Sequence, residues 1–286
     1  MWPAVFMTTG ILYIVATPIG NLNDITLRAI EVLKQVDVIA AEDTRHSKKL
    51  LEHYGIDTRL MAVHDHNEND RIQSLLGVLQ GGASVALISD AGTPLISDPG
   101  FRVVRAMQQA GIEVVAIPGP CAAIAALSIA GLPTDRFLFV GFLPAKQKAR
   151  QVALEALSAE QGTLVFYESP KRIVSALEDV ALVLGEVRVV SVVKEITKAF
   201  ETVKTGSVQE ALAWLAEDER HRRGEFVLLV QGAPAHSGAV IDASTLRALG
   251  LASEYMPLKK ACALVSELTG LPKNALYEAS LAQNKG

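Results

Sequence analysis

"ILYIVATPIGNLNDITLRAIEVLKQVDVIAA" (residues 11–41) decides the fold class of this chain. An apolar, Ile/Val-rich run (11–16) passes through a Pro-Gly turn into residues 25–35, where apolar side chains recur at spacings of three and four. A second apolar run (37–41) follows. Short apolar runs bounded by turn residues read as strands, and the three–four spacing reads as a helix. The alternation continues outward. "RLMAV" (59–63), "SVALIS" (84–89) and "EVVAIP" (113–118) are predicted strands, and 45–54, 69–80 and 99–110 are predicted helices. Strands alternating with helices predict an α/β domain with a largely parallel sheet. Its ligand sites are expected beyond the carboxyl ends of the strands.

A second series begins at "RFLFVGFL" (136–143) and continues through "GTLVFYES" (162–169), "VRVVSVVKEI" (187–196), "FETVKTG" (200–206) and "EFVLLVQG" (225–232). Helical stretches are fewer here, which predicts an α/β domain with a mixed sheet. The boundary is expected near Gly131-Leu132-Pro133-Thr134-Asp135, giving domains at 1–133 and 134–234. Beyond the loop "GAPAHSGA" (232–239), "PLKKACALVSELTG" and "LPKNALYEASL" are two helical patterns joined at Thr269-Gly270-Leu271, so 240–286 is expected to be a helical tail. That spacing suits a helix-turn-helix and equally a packing hairpin.

Composition narrows the classes. Half of the 286 residues are apolar and 20% are charged, so a large core is available and disorder is not expected. The net charge of −4, with the acidic excess in the first half, argues against a nucleic-acid partner held by bulk electrostatics. Cys121 and Cys262 stand alone, and His64-x-His66 lacks a third ligand at helical spacing, so no disulfide and no metal are expected. The apolar start has no Lys or Arg before Arg28 and reads as a strand, not a secretory signal. The longest apolar stretch, 114–132, is interrupted by Pro118-Gly119-Pro120. The expectation is a cytoplasmic protein with no membrane association.

Chemistry is expected at three turns. "LISDAGTPLISDPG" (87–100) leaves a buried strand and makes two Asp-small-Gly turns eight residues apart, where one would reverse the chain. The result is a ledge of amides and carboxylates at a strand end, though Asp90 would also serve as a helix cap. "ATPIGNLNDIT" (16–26) and "IPGPCAAIAAL" (117–127) place similar turns after two other strands, the first with Asn23 or Asp24 available as a cap. Neither G-x-G-x-x-G nor G-x-x-x-x-G-K-[ST] occurs, which removes the dinucleotide and P-loop readings. Glu42, Asp43 and Arg45 in "AAEDTR", Tyr167 and Glu168 in "FYESPKRI", and Lys194, Glu195 and Lys198 in "VVKEITKAFET" follow other strands. Caps, ion pairs and solvated faces account for such clusters as readily as a site does.

Taken in order, "LYIVATPIGNLNDITLRAIEVLKQVDVIAAEDTR", "LISDAGTPLISDPG", "IPGPCAAIAALSIAGLPTDRFLFVGFLPAK", "FYESPKRI" and "KEITKAFE" resemble the ribosomal RNA small subunit methyltransferase I family of the tetrapyrrole methylase superfamily. The resemblance covers residues 11–232, and the helical tail resembles that family's C-terminal module. It implies two α/β domains with S-adenosylmethionine in the cleft between them, usually in a homodimer. It also implies methylation of a cytidine ribose 2′-hydroxyl in the decoding region of 16S rRNA, on the small ribosomal subunit.

Carried onto this sequence, the resemblance implies cofactor contacts at Pro18 and Gly20, at Ser89, Asp90 and Ala91, and along the ledge at Gly92, Thr93, Ile96 and Ser97. Further contacts are implied at Pro118, Gly119, Ala122 and Ala123, and at Tyr167 and Glu168. The relatives' glycine-proline-glycine turn is altered here to Thr17-Pro18-Ile19-Gly20, and their Gly-Asp-Pro to Ser89-Asp90-Ala91. A ribose hydroxyl is a weak acid, so a base would help, by ~10²–10⁴. The strand-end candidates are Glu42, Asp43, His64 and Lys194, with the Glu42-Asp43 pair first. Arg45, Lys146, Lys171 and Lys198 are expected phosphate contacts. Two alternatives remain open: a methylase of a tetrapyrrole or other small molecule on the same fold, and a nucleic-acid-binding protein that reads through its tail.

Overall fold

The computed structural model describes residues 10–64, 68–234, 241 and 243–283. They form two compact units, 1–232 and 233–286. The first unit holds two five-stranded sheets.

The first sheet contains β1 (Ile11–Val15), β2 (Val38–Ala41), β3 (Leu60–Ala62), β4 (Val85–Ile88) and β5 (Glu113–Ile117), in the order β3-β2-β4-β1-β5 and parallel throughout. Every residue of β2 and β4 is buried, as the continuous apolar runs require of strands covered on both faces. Alternate side chains feed two cores. Val15, Ile39, Ala41, Ala86 and Ile88 pack with Ala29 and Leu33 of α1 (Leu27–Gln35) and Leu51 of α2 (Thr44–His53). Leu12, Val38, Ala40, Val85 and Leu87 pack with Leu75 and Leu79 of α3 (Glu68–Gln80) and Val103 and Met107 of α4 (Phe101–Gln109). The cap of α1 is neither Asn23 nor Asp24. Asn21 caps a short 3-10 turn over Leu22–Asp24, which uses those residues, and the Thr26 hydroxyl then accepts the Ala29 amide at 3.1 Å.

The second sheet contains β6 (Phe137–Phe142), β7 (Thr163–Glu168), β8 (Val189–Lys194), β9 (Thr202–Ser207) and β10 (Phe226–Val230), in the order β6-β7-β10-β8-β9. The β6–β7 pair is parallel and the others are antiparallel. One face carries α6 (Gln147–Ala156), α7 (Ile173–Leu184) and α8 (Val208–Glu217) around Phe166, Leu164 and Leu228. The other carries α5 (Ala122–Ile129), whose Ala123, Ala126 and Leu127 pack on Val165, Val193, Val227 and Leu229. The chain therefore crosses to the second sheet before α5. Helix α5, at the end of the 1–133 segment, thus covers the later sheet, and this puts the Pro118-Gly119-Pro120 turn between the two sheets.

The unit 233–286 contains α9 (Ala243–Tyr255), α10 (Leu258–Thr269) and α11 (Lys273–Gln283) around Leu249, Cys262, Val265 and Leu276. The two expected helices are present, and Gly270 ends α10 in the left-handed conformation (φ 74°) that glycine adopts without strain. Helix α9 was not expected, because Gly250 and the scattered leucines obscure its period. Among the described residues no helix is long and apolar enough to cross a membrane.

Candidate functional site

The three turns singled out in the sequence follow β4, β1 and β5, which are neighbours in the sheet. They are fastened to one another. Thr17 and Gly92 exchange two backbone hydrogen bonds (2.9 and 3.0 Å), and the Thr17 hydroxyl donates to the Ser89 carbonyl at 3.3 Å. The Thr93 hydroxyl donates to the Pro120 carbonyl at 2.9 Å. Gly119 lies so close to β1 that a Cβ there would stand 2.9 Å from the Ala16 Cβ. Leu95 (φ 73°) and Ser97 (φ 67°) hold positive φ, a conformation non-glycine residues rarely adopt. Such strain persists where surrounding contacts enforce it. Here a bulge in β6 at Gly141 (φ 78°) receives the ledge, with the Ser97 Oγ 3.0 Å from where a Cβ would be.

Between this ledge and the second sheet lies a cavity of about 440 Å³. That size falls within the ~300–1,000 Å³ usual for small-molecule sites. Ala91, Gly92, Thr93, Ile96, Ser97 and Asp98 form one wall, and Ile19, Cys121 and Ala122 come from the other two turns. Phe142, Tyr167, Glu168, Ser169, Pro170, Ile196, Glu225, Phe226 and Val227 close it from the second sheet. Tyr167 holds the walls together. Its hydroxyl accepts the Ala123 amide at 3.2 Å, and its ring meets Phe139 and Phe142 edge-on at centroid distances of 5.0 and 5.8 Å. Burial pushes the Tyr167 phenol well above its ordinary range, so it stays neutral.

Of the residues expected to meet a cofactor, Ala91, Gly92, Thr93, Ile96, Ser97, Ala122, Tyr167 and Glu168 line this cavity. Ser89, Asp90, Pro18, Gly20, Pro118, Gly119 and Ala123 do not. Ser89 is buried beneath the ledge. Asp90 accepts the Asp43 amide at 3.1 Å and ties the end of β4 to the end of β2. Gly20 lines a second, shallower depression with Asn21 and Lys198. Glu168 reaches the cavity with its carboxylate already engaged, by Arg172 at 3.0 Å and the Ser169 amide at 2.8 Å. Sequence reasoning missed Ile19, Asp98, Cys121, Phe142, Ile196 and Glu225. The second Asp-x-Gly turn was the available signal for Asp98.

The four candidates for a base are not gathered at the cavity wall. Asp43 caps α2 through the Arg45 amide (2.8 Å) and pairs with the Arg45 guanidinium (3.0 Å), which holds its carboxyl at about 2. A group so acidic is a poor base at neutral pH. Glu42, half-buried, follows β2, and His64, half-buried, follows β3, both toward the far edge of the first sheet. Lys194 ends β8, buried between β9 and β10 and close enough to Glu195 to help lower that carboxyl. Of the expected phosphate contacts, Arg45, Lys146 and Lys171 are exposed. Lys198 is half-buried and bound to Glu195 (2.9 Å) and Glu225 (2.7 Å). His66 lies outside the described residues.

Residues 11–212 match the family of tetrapyrrole (corrin/porphyrin) methylases, and residues 239–284 match the RsmI C-terminal HTH domain. Ribosomal RNA small subunit methyltransferase I of Escherichia coli O157:H7 is 57% identical over 96% of both chains. The protein of that name from Synechocystis is 46% identical over 95% of this chain and 98% of its own. Among solved structures, the methyltransferase CobJ superposes with a TM-score of 0.60 at 18% identity, over 79% of this chain and 95% of its own. Diphthine synthase superposes with a TM-score of 0.58 at 13% identity, over 78% and 90%. The last two speak for the fold alone. The chain belongs to the tetrapyrrole methylases and, among them, to the ribosomal RNA small subunit methyltransferase I family.

Proposed function

We propose that the protein transfers a methyl group from S-adenosylmethionine to the ribose 2′-hydroxyl of a cytidine in the decoding region of 16S rRNA, on the small ribosomal subunit. The observation that carries this reading is the ledge-lined cavity, in a chain 57% identical to a relative named for that subunit's RNA. The residues present fit the cofactor. Ser97, Asp98 and Ser169 offer polar groups to it, while Ile19, Ile96, Phe142 and Ile196 offer apolar surface to a nucleoside. When bound, the cofactor would supply a methyl group activated on a sulfonium, and the hydroxyl proton would need a base to receive it.

The chain's own contribution is chiefly position. Holding the hydroxyl in line with the methyl group lowers a barrier by as much as ~7–11 kcal/mol in favourable cases. Asp43, whose carboxylate is committed to Arg45 and held acidic, is poorly suited among the strand-end candidates to take the proton. Arg45, Lys146 and Lys171 project into solvent and suit backbone phosphates. The acidic first half makes an assembled particle a better substrate than naked RNA. Tritiated cofactor and small subunits from cells lacking this gene test the whole reading, with mass mapping of the labelled nucleotide. Label on a decoding-region cytidine ribose is expected. Cofactor binding without label on subunits or free RNA would redirect the search to small molecules.

A homodimer belongs to the same reading. The α5 side of the second sheet leaves Ile124, Ile129, Phe137 and Phe142 exposed, and a second copy of the chain is the proposed cover. Light scattering should give twice the 30.6 kDa chain mass. Ile124→Glu should shift the equilibrium toward monomer; a wild-type monomer at micromolar concentration rules the dimer out.

A further inference from the structure

We propose that Asp98 is the specificity-determining carboxylate of the cavity, facing the sulfonium of S-adenosylmethionine and distinguishing it from the neutral thioether product. The inference rests on the cofactor reading given above.

The strained ledge brings Asp98 to the cavity. Leu95 and Ser97 both hold positive φ immediately before it, and Pro99 fixes the chain immediately after. Among the described residues three carboxylates line the cavity, and two are neutralised. Glu168 holds Arg172 at 3.0 Å, and Glu225 holds Lys198 at 2.7 Å. Asp98 has the Ser89 hydroxyl nearby, which carries no charge, and among the described residues it has no basic partner. Among the described residues no Lys, Arg or His lines the cavity. Burial, with Asp90 nearby, raises the Asp98 carboxyl above its ordinary range. A cation arriving beside such a group stabilises its ionised form, and by reciprocity the carboxylate favours the cation.

The ligand's chemistry selects which cation. The ammonium and carboxylate of the methionine part cancel in net charge, so the uncompensated charge is the sulfonium. A sulfonium carries no N–H to satisfy and tolerates apolar walls such as Ile96, Phe142 and Ile196. An ammonium in the same place would need three acceptors. A carboxylate here therefore weights binding toward the substrate form and, once the methyl has gone, loses its partner and favours release.

Titration calorimetry on the full-length protein tests this with S-adenosylmethionine, S-adenosylhomocysteine and 5′-methylthioadenosine. Asp98→Asn keeps the side chain's size and shape and removes the charge. Its affinity for S-adenosylmethionine should fall about tenfold or more, the lower end of coupling between close charge pairs. Affinities for the two neutral-sulfur ligands should stay within about threefold, which also reports an intact site. Should the asparagine variant fail to fold, Asp98→Ser offers a second neutral replacement. Equal losses for S-adenosylmethionine and S-adenosylhomocysteine would overturn the assignment in favour of the ammonium, and so would no loss for either. A wild-type protein that binds none of the three ligands sinks the cofactor reading before the variant is considered.

Discussion

Asp179→Ala is expected to destabilise the 1–232 unit by about 3–5 kcal/mol, the cost of leaving one charge of a buried pair without its partner. Asp179 on α7 and Arg150 on α6 have side chains only 2% and 4% exposed and meet at 2.6 Å. Around them, Gln151 (2.7 Å) and Gln147 (3.4 Å) donate to the second carboxylate oxygen, and the guanidinium also reaches the Ala145 and Ser175 carbonyls. Alanine would leave Arg150 buried with two carbonyls and no counter-charge. Replacing the pair together, Arg150→Met with Asp179→Leu, should recover much of the loss, because apolar side chains avoid the desolvation that the pair must offset. Urea unfolding midpoints measure both variants; a single-variant loss under about 1 kcal/mol would show that water reaches the guanidinium. The pair should also shape the acid limb. Burial alone raises the Asp179 carboxyl, but hydrogen bonds from Gln151, Arg150 and Gln147 outweigh it and leave it lowered. A carboxyl lowered on folding stabilises fully above its unfolded pKa, and that stabilisation is lost as pH falls through the folded value. The wild-type protein should therefore lose stability with acid more steeply than Asp179→Ala does.

Much of the fold was legible because it is local. Each strand of the first sheet is a short Val/Ile/Leu run, each helix carries its apolar residues at spacings of three and four, and a parallel sheet follows from their alternation. The three turns beside the cavity were legible for the same reason, since Pro and Gly mark turns wherever they fall. What remained hidden depends on pairing between distant segments. Strand β10 inserts between β7 and β8, and this is what brings Phe226 and Val227 to the cavity; nothing near residue 226 announces it. Helix α5, "AAIAALSI", is apolar on all sides, so its sequence does not say which sheet it covers. Lys198 was expected at phosphate because one of its two partners, Glu225, lies 27 residues away. Asp43 read as a base because its two-residue link to Arg45 looks the same on paper whether it serves a cap or a substrate. Charged residues at strand ends were visible; their commitments to one another were not.

The ledge makes the second large prediction. Gly92→Val should lower methyl transfer by about 100-fold, the scale of loss when reacting groups move by about 1 Å. Gly92 lines the cavity, holds φ 83° and is tied to Thr17 through both its amide and its carbonyl. A Cβ there would stand 3.2 Å from the Ile19 Cγ2, a side chain on the same cavity wall, and the two γ-methyls of valine extend further. The variant can escape only by moving Ile19 or by turning the backbone toward negative φ, and the second breaks the bridge between β1 and β4. Either movement shifts the ledge on which the cofactor is proposed to lie. Gly55→Val separates strain from site. Gly55 holds φ 59° beyond the end of α2, and nothing stands within 4 Å of its Cβ position. It should lose about 1–2 kcal/mol of stability to left-handed strain and leave cofactor affinity unchanged. Calorimetry with S-adenosylmethionine and thermal unfolding on both variants distinguish the two effects. Wild-type affinity in Gly92→Val would mean that the cofactor does not lie on the ledge, and the turn pairing Thr17 with Gly92 would then be scaffolding for the sheet edge alone.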